Sequence, residues 1–327
     1  MKRRFVAILA VTLFIAAGKP AAADIIYETN QAGTVGEYNA TTGATINANF
    51  LKLTNPTGIA LDGSGHLYVA SAGNIGEYNA TTGATISAAL LKNGFGPDIL
   101  GIALDGSGHL YLTNDNAGTV GEYNARTGAA INANLVTGLV NPFGIAVDGS
   151  GHLYVANLTS FTGIRKIGEY DATTGAAINA SLISIGNPLY GIALDGSGNL
   201  YVAEGPGFGE IGKYNATTGA TISANFVHFG SVDAPEGLAL HGGNLFVADF
   251  QAETIGEFNA RTGATINSNL VPFVNGPQFL AIGPSTQATP EPSSLVLASL
   301  GALTLSGGAW LRRRSACRMA REGNPML

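Results

Sequence analysis

A unit of 40 to 47 residues recurs six times along this chain of 327 residues. One full copy covers residues 58–70 and continues over 75–86. The Gly of its second half recurs at positions 36, 76, 121, 168, 212 and 256. A period of this length is typical of β-propeller blades and of paired-helix repeats, so the repeat constrains the fold more than any other sequence feature.

The repeat predicts strands rather than helices. Its apolar runs are short, rich in β-branched and aromatic residues, and separated by Asp-Gly-Ser-Gly and Thr-Thr-Gly, which favour tight turns. A helix would need roughly 10–12 uninterrupted residues, which no part of the repeat offers. Each unit is therefore predicted to form four antiparallel strands, called a to d here. In the second unit these cover residues 58–62, 66–70, 74–79 and 84–92.

The two ends of the repeat array are incomplete in complementary ways. Residues 24–29 align with strand b of the unit, and residues 278–282 align with strand a. A sheet assembled from both termini would close a ring and remove its unpaired edges. The sequence therefore predicts one all-β domain over residues 24–283, a six-bladed β-propeller in which N-terminal strands b, c and d pair with the C-terminal strand a.

The charge of the repeat region argues against some partners. Of the 16 Lys and Arg residues, only seven lie within 24–294, against 21 acidic residues, which gives a net charge of −14. Such a surface repels phosphate backbones and anionic headgroups, so no nucleic-acid partner is expected. The single cysteine, Cys317, excludes an intramolecular disulfide, so strand pairing and packing must close the ring.

The N-terminus has the pattern of a secretory signal peptide. Three basic residues lie within the first four positions, residues 5–17 are apolar, and an Ala-rich segment ends at Ala23. This pattern predicts export, with cleavage by signal peptidase after Ala23 and a signal peptide over 1–23.

The C-terminus combines a short motif, an apolar run and a basic cluster. Seventeen apolar or small residues over 295–311 can just span a membrane, and basic residues hold their end on the cytoplasmic side. The flanking residues are Pro290, Glu291 and Pro292 before the run, and Arg312, Arg313 and Arg314 after it. Residues 284–289 are predicted to form a linker, and 315–327 a cytoplasmic tail. A plain membrane anchor is the alternative interpretation.

These three parts together resemble the PEP-CTERM sorting signal of Gram-negative bacteria. The resemblance covers residues 290–314 and implies an exosortase as a processing partner. It also implies export across the inner membrane, a transient membrane anchor, and release or attachment at the cell surface.

Two kinds of connection are nearly the same in every copy of the repeat, and two kinds vary between copies. The a–b and c–d turns are nearly identical, which indicates a role in folding, since Asp and Asn bond to their own backbone and Gly adopts positive φ. The b–c loops and d–a links, which leave by the opposite face, vary in length and sequence, and variable loops on a rigid scaffold usually carry binding. Candidate ligand-binding residues on this variable face are Asn30, Ser71, Asn114, Asn157, Glu204 and Asp249 after strand b, and Asp98, Phe143, Tyr190 and Glu236 in the d–a links.

The residues after strand b share a chemical feature, because all six carry a side-chain oxygen. A ring of oxygens could hold Ca²⁺, with Asn157, Glu204, Glu236 and Asp249 as the candidate ligands. The alternative is that each side chain caps its own loop, as Asx residues commonly do. No cofactor is required by either interpretation, although Ca²⁺ is compatible with the first.

The strand motif Gly-Ile-Ala-Leu-Asp-Gly-Ser-Gly-His-Leu-Tyr-Val-Ala, preceded by Asn-Pro, resembles the NHL repeat. Its wider superfamily includes gluconolactonase-like and streptogramin lyase-like proteins, and the former bind a divalent metal at the channel mouth. Nucleophile and phosphate-loop motifs are absent from the sequence. We therefore expect a cell-surface binding module for matrix polysaccharide, a surface protein or a small ligand. The alternative is a metal-dependent lactonase-like or lyase-like enzyme.

Overall fold

The computed structural model describes residues 24–92, 99–158, 165–205, 209–230 and 233–284. Several predictions from the sequence fall on other residues, namely the signal peptide with Ala23, the candidate Asp98, and everything beyond Pro284, including the sorting motif. The described segments contain only strands and their connections, and none of them forms a helix long and apolar enough to cross a membrane.

Twenty-four strands form six antiparallel sheets of four. Blade 1 contains β24 (Pro277–Gly283), β1 (Ile25–Asn30), β2 (Thr34–Asn39) and β3 (Thr45–Lys52). Blade 2 contains β4 (Pro56–Leu61), β5 (His66–Ser71), β6 (Asn74–Asn79) and β7 (Thr85–Leu91). Blade 3 contains β8 (Ile99–Leu104), β9 (His109–Asn114), β10 (Thr119–Asn124) and β11 (Ala130–Val136).

The other three blades repeat this order. Blade 4 contains β12 (Pro142–Val147), β13 (His152–Asn157), β14 (Arg165–Asp171) and β15 (Ala177–Ile185). Blade 5 contains β16 (Leu189–Leu194), β17 (Asn199–Glu204), β18 (Glu210–Asn215) and β19 (Thr221–His228). Blade 6 contains β20 (Pro235–His241), β21 (Asn244–Asp249), β22 (Thr254–Asn259) and β23 (Thr265–Val271).

The first strand of each blade lies innermost, and neighbouring inner strands contact one another around the ring in the order β24, β4, β8, β12, β16, β20. The chain closes the ring through blade 1, where β1 pairs antiparallel with β24 from Ile25 opposite Gly283 to Asn30 opposite Pro277. The predicted six-bladed propeller, its all-β class and its closure by both termini are therefore confirmed.

The inner strands begin earlier than predicted, at Pro56 instead of Gly58 in blade 2. Pro56 still pairs with Ser71, and the register shifts before Ile59 pairs with Val69, so the intervening residues form a β-bulge. The sequence motif starts at the Gly after this bulge, which is why it gives too short a strand.

Glycine in the bulge allows the inner strands to approach closely. A Cβ on Gly144 would overlap the carbonyl oxygen of Tyr190 in the next blade, and one on Gly191 would overlap that of Glu236. Gly58, Gly101 and Gly237 are placed in the same way against their neighbours. The repeated Gly is thus a packing requirement of the ring, where one backbone lies against the next.

The blades are joined by apolar clusters and by tyrosine hydroxyls. Each cluster combines one face of a sheet with the opposite face of its neighbour, as for Tyr27 and Val35 of blade 1 with Leu67 of blade 2. Tyr27 Oη also donates to Ala80 O at 2.6 Å, in the c–d turn of blade 2. Buried tyrosines usually find such a partner, and here it ties a turn to the adjacent blade.

The uniform turns make the local hydrogen bonds that their sequences favour. Asn39 Oδ1 accepts from the backbone N–H groups of Thr41 and Thr42 at 2.9 and 2.8 Å. Asp62 Oδ1 accepts from those of Ser64 and His66, both at 2.8 Å. These side chains replace backbone partners within the turn, which explains why the same residues recur in blade after blade.

We predict that Gly144→Ala destabilises the ring, because the added methyl group must displace the backbone of the next blade. The expected loss in the free energy of unfolding is about 1–3 kcal/mol, measured by urea unfolding. Gly149→Ala is the matched control, because a Cβ there meets no atom within 4 Å, and its effect should stay within about 0.5 kcal/mol. Equal effects of the two substitutions would contradict this packing role.

Candidate functional site

The oxygen-bearing side chains at the ends of the second strands lie at the variable face, and two of them cap their own loops. Asn30 Oδ1 accepts from the backbone N–H of Thr34 at 3.2 Å and from its hydroxyl at 2.9 Å. Asn114 Oδ1 accepts from the backbone N–H of Ala117 at 3.0 Å. These contacts correspond to the local-capping interpretation of the pattern.

Three others bond to the link that enters their blade. Ser71 Oγ donates to Thr54 O at 2.7 Å, and Asn157 Oδ1 accepts from the backbone N–H of Val140 at 2.7 Å. Asp249 Oδ1 serves both connections, because it accepts from the N–H groups of Ala234 and Ala252, each at 3.1 Å. These five residues thus hold the variable connections in place.

Glu204, the sixth residue of this set, is almost fully buried. Its Oε2 accepts from Asn187 Nδ2 at 2.7 Å, and its Oε1 accepts from Tyr214 Oη at 3.1 Å. Burial raises the pKa of Glu204, and the two hydrogen bonds act in the opposite direction. Within the described ranges, no three His, Cys, Asp or Glu side chains come together as ligands for a metal ion.

Three aromatic rings meet at the variable-face mouth of the central channel. Phe143 lies between the other two, stacked on Phe279 with centroids 5.6 Å apart and edge-on to Tyr190 at 5.0 Å. Phe279 belongs to β24 and Phe143 to β12, which are opposite each other in the ring, so Phe279 reaches across the channel. Tyr190 packs on Gly205, where a Cβ would overlap the ring. All three aromatic residues remain partly exposed.

The channel beneath these rings is narrow. A cavity of about 60 Å³ is lined by Phe279 and by aliphatic residues of the inner strands, among them Ile102, Ile145 and Ile192. Ligand pockets usually have volumes of about 300–1,000 Å³. This cavity is therefore too small for a sugar-sized ligand, and the aromatic rings at its mouth are the accessible surface.

Glu236 adds a carboxyl group to this mouth. It is the bulged residue of β20, at the position that Phe143 and Tyr190 occupy in their own blades. Burial, and then the charge of Asp249, raise the pKa of Glu236 to about 7. Burial and the nearby Glu236 likewise raise the pKa of Tyr190. The aromatic group and an acid that titrates near neutral pH thus lie side by side.

The sequence pattern indicated Phe143, Tyr190 and Glu236 as candidate ligand-binding residues, but it did not indicate Phe279. Phe279 occupies the register that is Gly in the other five inner strands, as its pairing with Thr29 shows. The sequence does show that Phe279 replaces the Gly of the other inner strands. That Phe279 contacts Phe143 could be inferred only once β24 and β12 were known to lie opposite each other.

A second departure from the repeat lies in the closing blade. Glu28 occupies the register that is Val or Leu in the other second strands, and it is 0% exposed. Its Oε2 accepts from Asn30 Nδ2 at 3.2 Å, whereas nothing among the described residues donates to Oε1. By strand alternation Glu28 shares a sheet face with Ile26, which packs against blade 6. Burial raises the pKa of Glu28 to about 8.

Comparison with solved structures supports the fold. A chain from the crystal structure of a nidogen–laminin complex superposes with a TM-score of 0.66 at 17% identity, covering 80% of this chain and 99% of its own. A protein of unknown function from Bacteroides caccae superposes with a TM-score of 0.61 at 12% identity, with the same coverage of both chains. At these identities the likeness concerns the fold alone. No protein-family model and no curated protein sequence matches the chain.

We predict that Glu28 makes stability fall as pH rises. The folded chain keeps the Glu28 proton up to a pKa of about 8, whereas the unfolded carboxyl releases it near 4.5. The stabilising effect of the neutral carboxyl is thus fully present below about 4.5 and is lost as pH rises through the folded pKa. One such proton changes the free energy of unfolding by about 1.4 kcal/mol per pH unit.

The test is Glu28→Val, which installs the residue of other blades. Urea unfolding should show the variant to be more stable than the wild type at pH 7, by a margin that shrinks toward pH 5. The difference in the free energy of unfolding between the two proteins reports the titration of Glu28 alone, because Glu236 titrates in both. A margin that is independent of pH would contradict the prediction.

Proposed function

We propose that this chain is an exported binding module whose ligand contacts the aromatic mouth of the variable face. The observation that carries the proposal is the meeting of Phe143, Tyr190 and Phe279 from three different blades. All three stay partly exposed, and a carboxyl group lies beside them. Partly exposed aromatic residues at a concave centre are typical of binding hot spots.

The ligand class follows from charge and shape. Residues 24–294 carry a net charge of −14. Glu236, one of the acids in that count, places a negative charge at the mouth above its pKa of about 7. Anionic ligands are therefore disfavoured there. A neutral glycan offers apolar ring faces for the aromatic side chains and hydroxyl groups for Glu236. Gln278, the bulged residue of β24, occupies the position that Glu236 has in β20 and offers an amide for the same hydroxyl groups. We accordingly propose a neutral surface or matrix polysaccharide as the ligand.

Two supports for this proposal come from outside the site. The signal-peptide and sorting patterns at the chain ends favour delivery to the surface of a Gram-negative cell, where such polysaccharides occur. The similar chain from the nidogen–laminin complex indicates that a propeller of this shape can also belong to a protein assembly. A surface protein is therefore the other partner class that binding experiments must include.

We predict that Tyr190→Ala weakens binding of a neutral oligosaccharide by about tenfold or more, because a central aromatic contact is lost. Isothermal titration calorimetry against a panel of neutral glucans, mannans and galactans measures the effect. Phe273→Ala is the matched control, because Phe273 is 92% exposed and lies in the link after β23, outside the aromatic group. Loss of binding in the control but not in Tyr190→Ala would contradict binding at the mouth.

One observation favours a second candidate function, a cation-dependent enzyme. Glu236 lies close enough to Asp249 for the charge of Asp249 to raise its pKa, and two such carboxyl groups could share a Ca²⁺ ion. Titration with CaCl₂ separates the candidates. Heat of binding that disappears in Glu236→Gln, together with lactone hydrolysis lost in the same variant, would favour the enzyme over the binding module.

A further inference from the structure

A wide cleft lies on the face of the uniform turns, opposite the aromatic mouth. It has a volume of about 860 Å³ and is bounded by the a–b turns of blades 5 and 6, at Asp195 and at Gly242 and Gly243. The turn of blade 6 is one residue shorter than Asp-Gly-Ser-Gly, because His241 pairs directly with Asn244. We call this space the blade 5–6 cleft.

One side chain in this cleft has the opposite charge to its equivalents in the other blades. The residue after the Gly of the third strand is Glu in five blades and Lys213 in blade 5. Lys213 Nζ donates to Ala260 O at 2.9 Å and lies 4.8 Å from the ring centroids of both Tyr201 and Phe226. The aromatic faces and the carbonyl oxygen favour a positive charge at this position, whereas burial lowers the pKa of Lys213.

A second cation lies in the same cleft. Arg261 is exposed, lines the cleft from the c–d turn of blade 6, and is close enough for its charge to act on Lys213. Asp195 is the one acidic residue that lines this cleft. Counting Asp, Glu, Lys and Arg, the lining carries a net charge of +1, in a region where seven basic residues face 21 acidic ones.

The corresponding cleft between blades 2 and 3 provides an internal comparison. It has a volume of about 670 Å³, and its charged lining consists of Asp62, Glu77 and Arg126, which gives a net charge of −1 without counting His66. Arg126 occupies the same turn position as Arg261. The two clefts thus share the arginine, and the exchange of Glu for Lys213 reverses the sign.

We propose that the blade 5–6 cleft is a second binding site, which takes the carboxylate-bearing sugar of an acidic glycan, a hexuronate unit. Arg261 would bind the carboxylate, since the guanidinium matches a carboxylate with two parallel hydrogen bonds. Lys213 supplies a second positive charge. The hydroxyl group of Ser197 lines the same space and suits a sugar hydroxyl. Asn244 Nδ2 already donates to Glu257 Oε1 at 2.6 Å, and Asn259 Oδ1 accepts from the N–H groups of its own turn.

The charge balance favours a monoanion. A phosphate group carries about −1.5 to −2 charges at neutral pH, which would exceed the single net positive charge of the lining and repel Asp195. A carboxylate carries one charge and matches it. The cleft volume lies within the range of about 300–1,000 Å³ that is typical of ligand sites, and it accommodates more than one sugar ring.

The test is calorimetric titration of the purified protein with galacturonate, which carries one carboxylate, and with galactose as the matched neutral sugar. Galacturonate should bind, and Arg261→Thr should weaken its binding by about tenfold or more, the usual scale for a charge-assisted hydrogen bond. Thr occupies this turn position in four other blades, and Arg261 is exposed, so the variant should fold. Lys213→Glu, which restores the residue of the other blades, should weaken binding to a similar extent.

Arg126→Thr is the matched control, because it removes the equivalent arginine from the cleft between blades 2 and 3. It should leave the affinity unchanged. If Lys213→Glu fails to fold, as judged by near-ultraviolet circular dichroism, the comparison of Arg261→Thr with Arg126→Thr is sufficient to test the proposed site.

Four results would overturn the proposal. These are absence of galacturonate binding to the wild type, equal effects of Arg261→Thr and Arg126→Thr, equal affinity for galactose, and tighter binding of inorganic phosphate or of a glutamate-rich peptide. Tyr190→Ala should not affect galacturonate binding, so failure of this site and failure of the aromatic mouth are distinguishable.

Discussion

The pairing of β1 with β24 is the interaction on which the rest of the structure depends. Without β24, blade 1 would be a three-stranded sheet in which β1 has an unpaired edge, and here the two ends of the repeat array meet within that sheet. Without a disulfide, this pairing and the packing of blade 1 against its neighbours close the ring. The close approach of inner strands at the repeated Gly, the aromatic mouth and the clefts between blades all require that closure.

Because the six blades share one sequence pattern, the residues that differ from their equivalents in the other blades are informative. Most side chains of the repeat are explained by turns, bulges and contacts between blades, so the residues that break the pattern need another reason. Phe279 fills the channel mouth where the other inner strands have Gly, and Lys213 reverses the charge of a cleft where the other blades have Glu. Glu28 places an acid inside the closing blade, where burial raises its pKa to about 8. Each departure gives one blade a property that the others lack.

The sequence predicted the blade count, the strand order and the closing pair, because turn residues and short alternating runs are local signals. It also placed Phe143, Tyr190 and Glu236 on the variable face. It missed Phe279, since a side chain that crosses the ring is visible only once opposite strands are located. The sequence did not identify the hydrogen-bond partners of Asn157 and Ser71, because those partners lie in the link that precedes the blade and not in the loop that follows the strand. Long-range partners of this kind depend on the bulge and on blade packing, which the repeat pattern alone does not reveal.

The most direct test of ring closure compares urea unfolding of a chain that ends at Gly283 with one that ends at Gly276. The shorter chain lacks β24 and leaves β1 without its partner. We expect it to lose several kcal/mol of stability and to unfold without a single cooperative transition, as expected for a sheet with an exposed edge and an opened core. Unchanged midpoints and slopes in the two chains would contradict the account, because they would mean that the ring does not need its last strand.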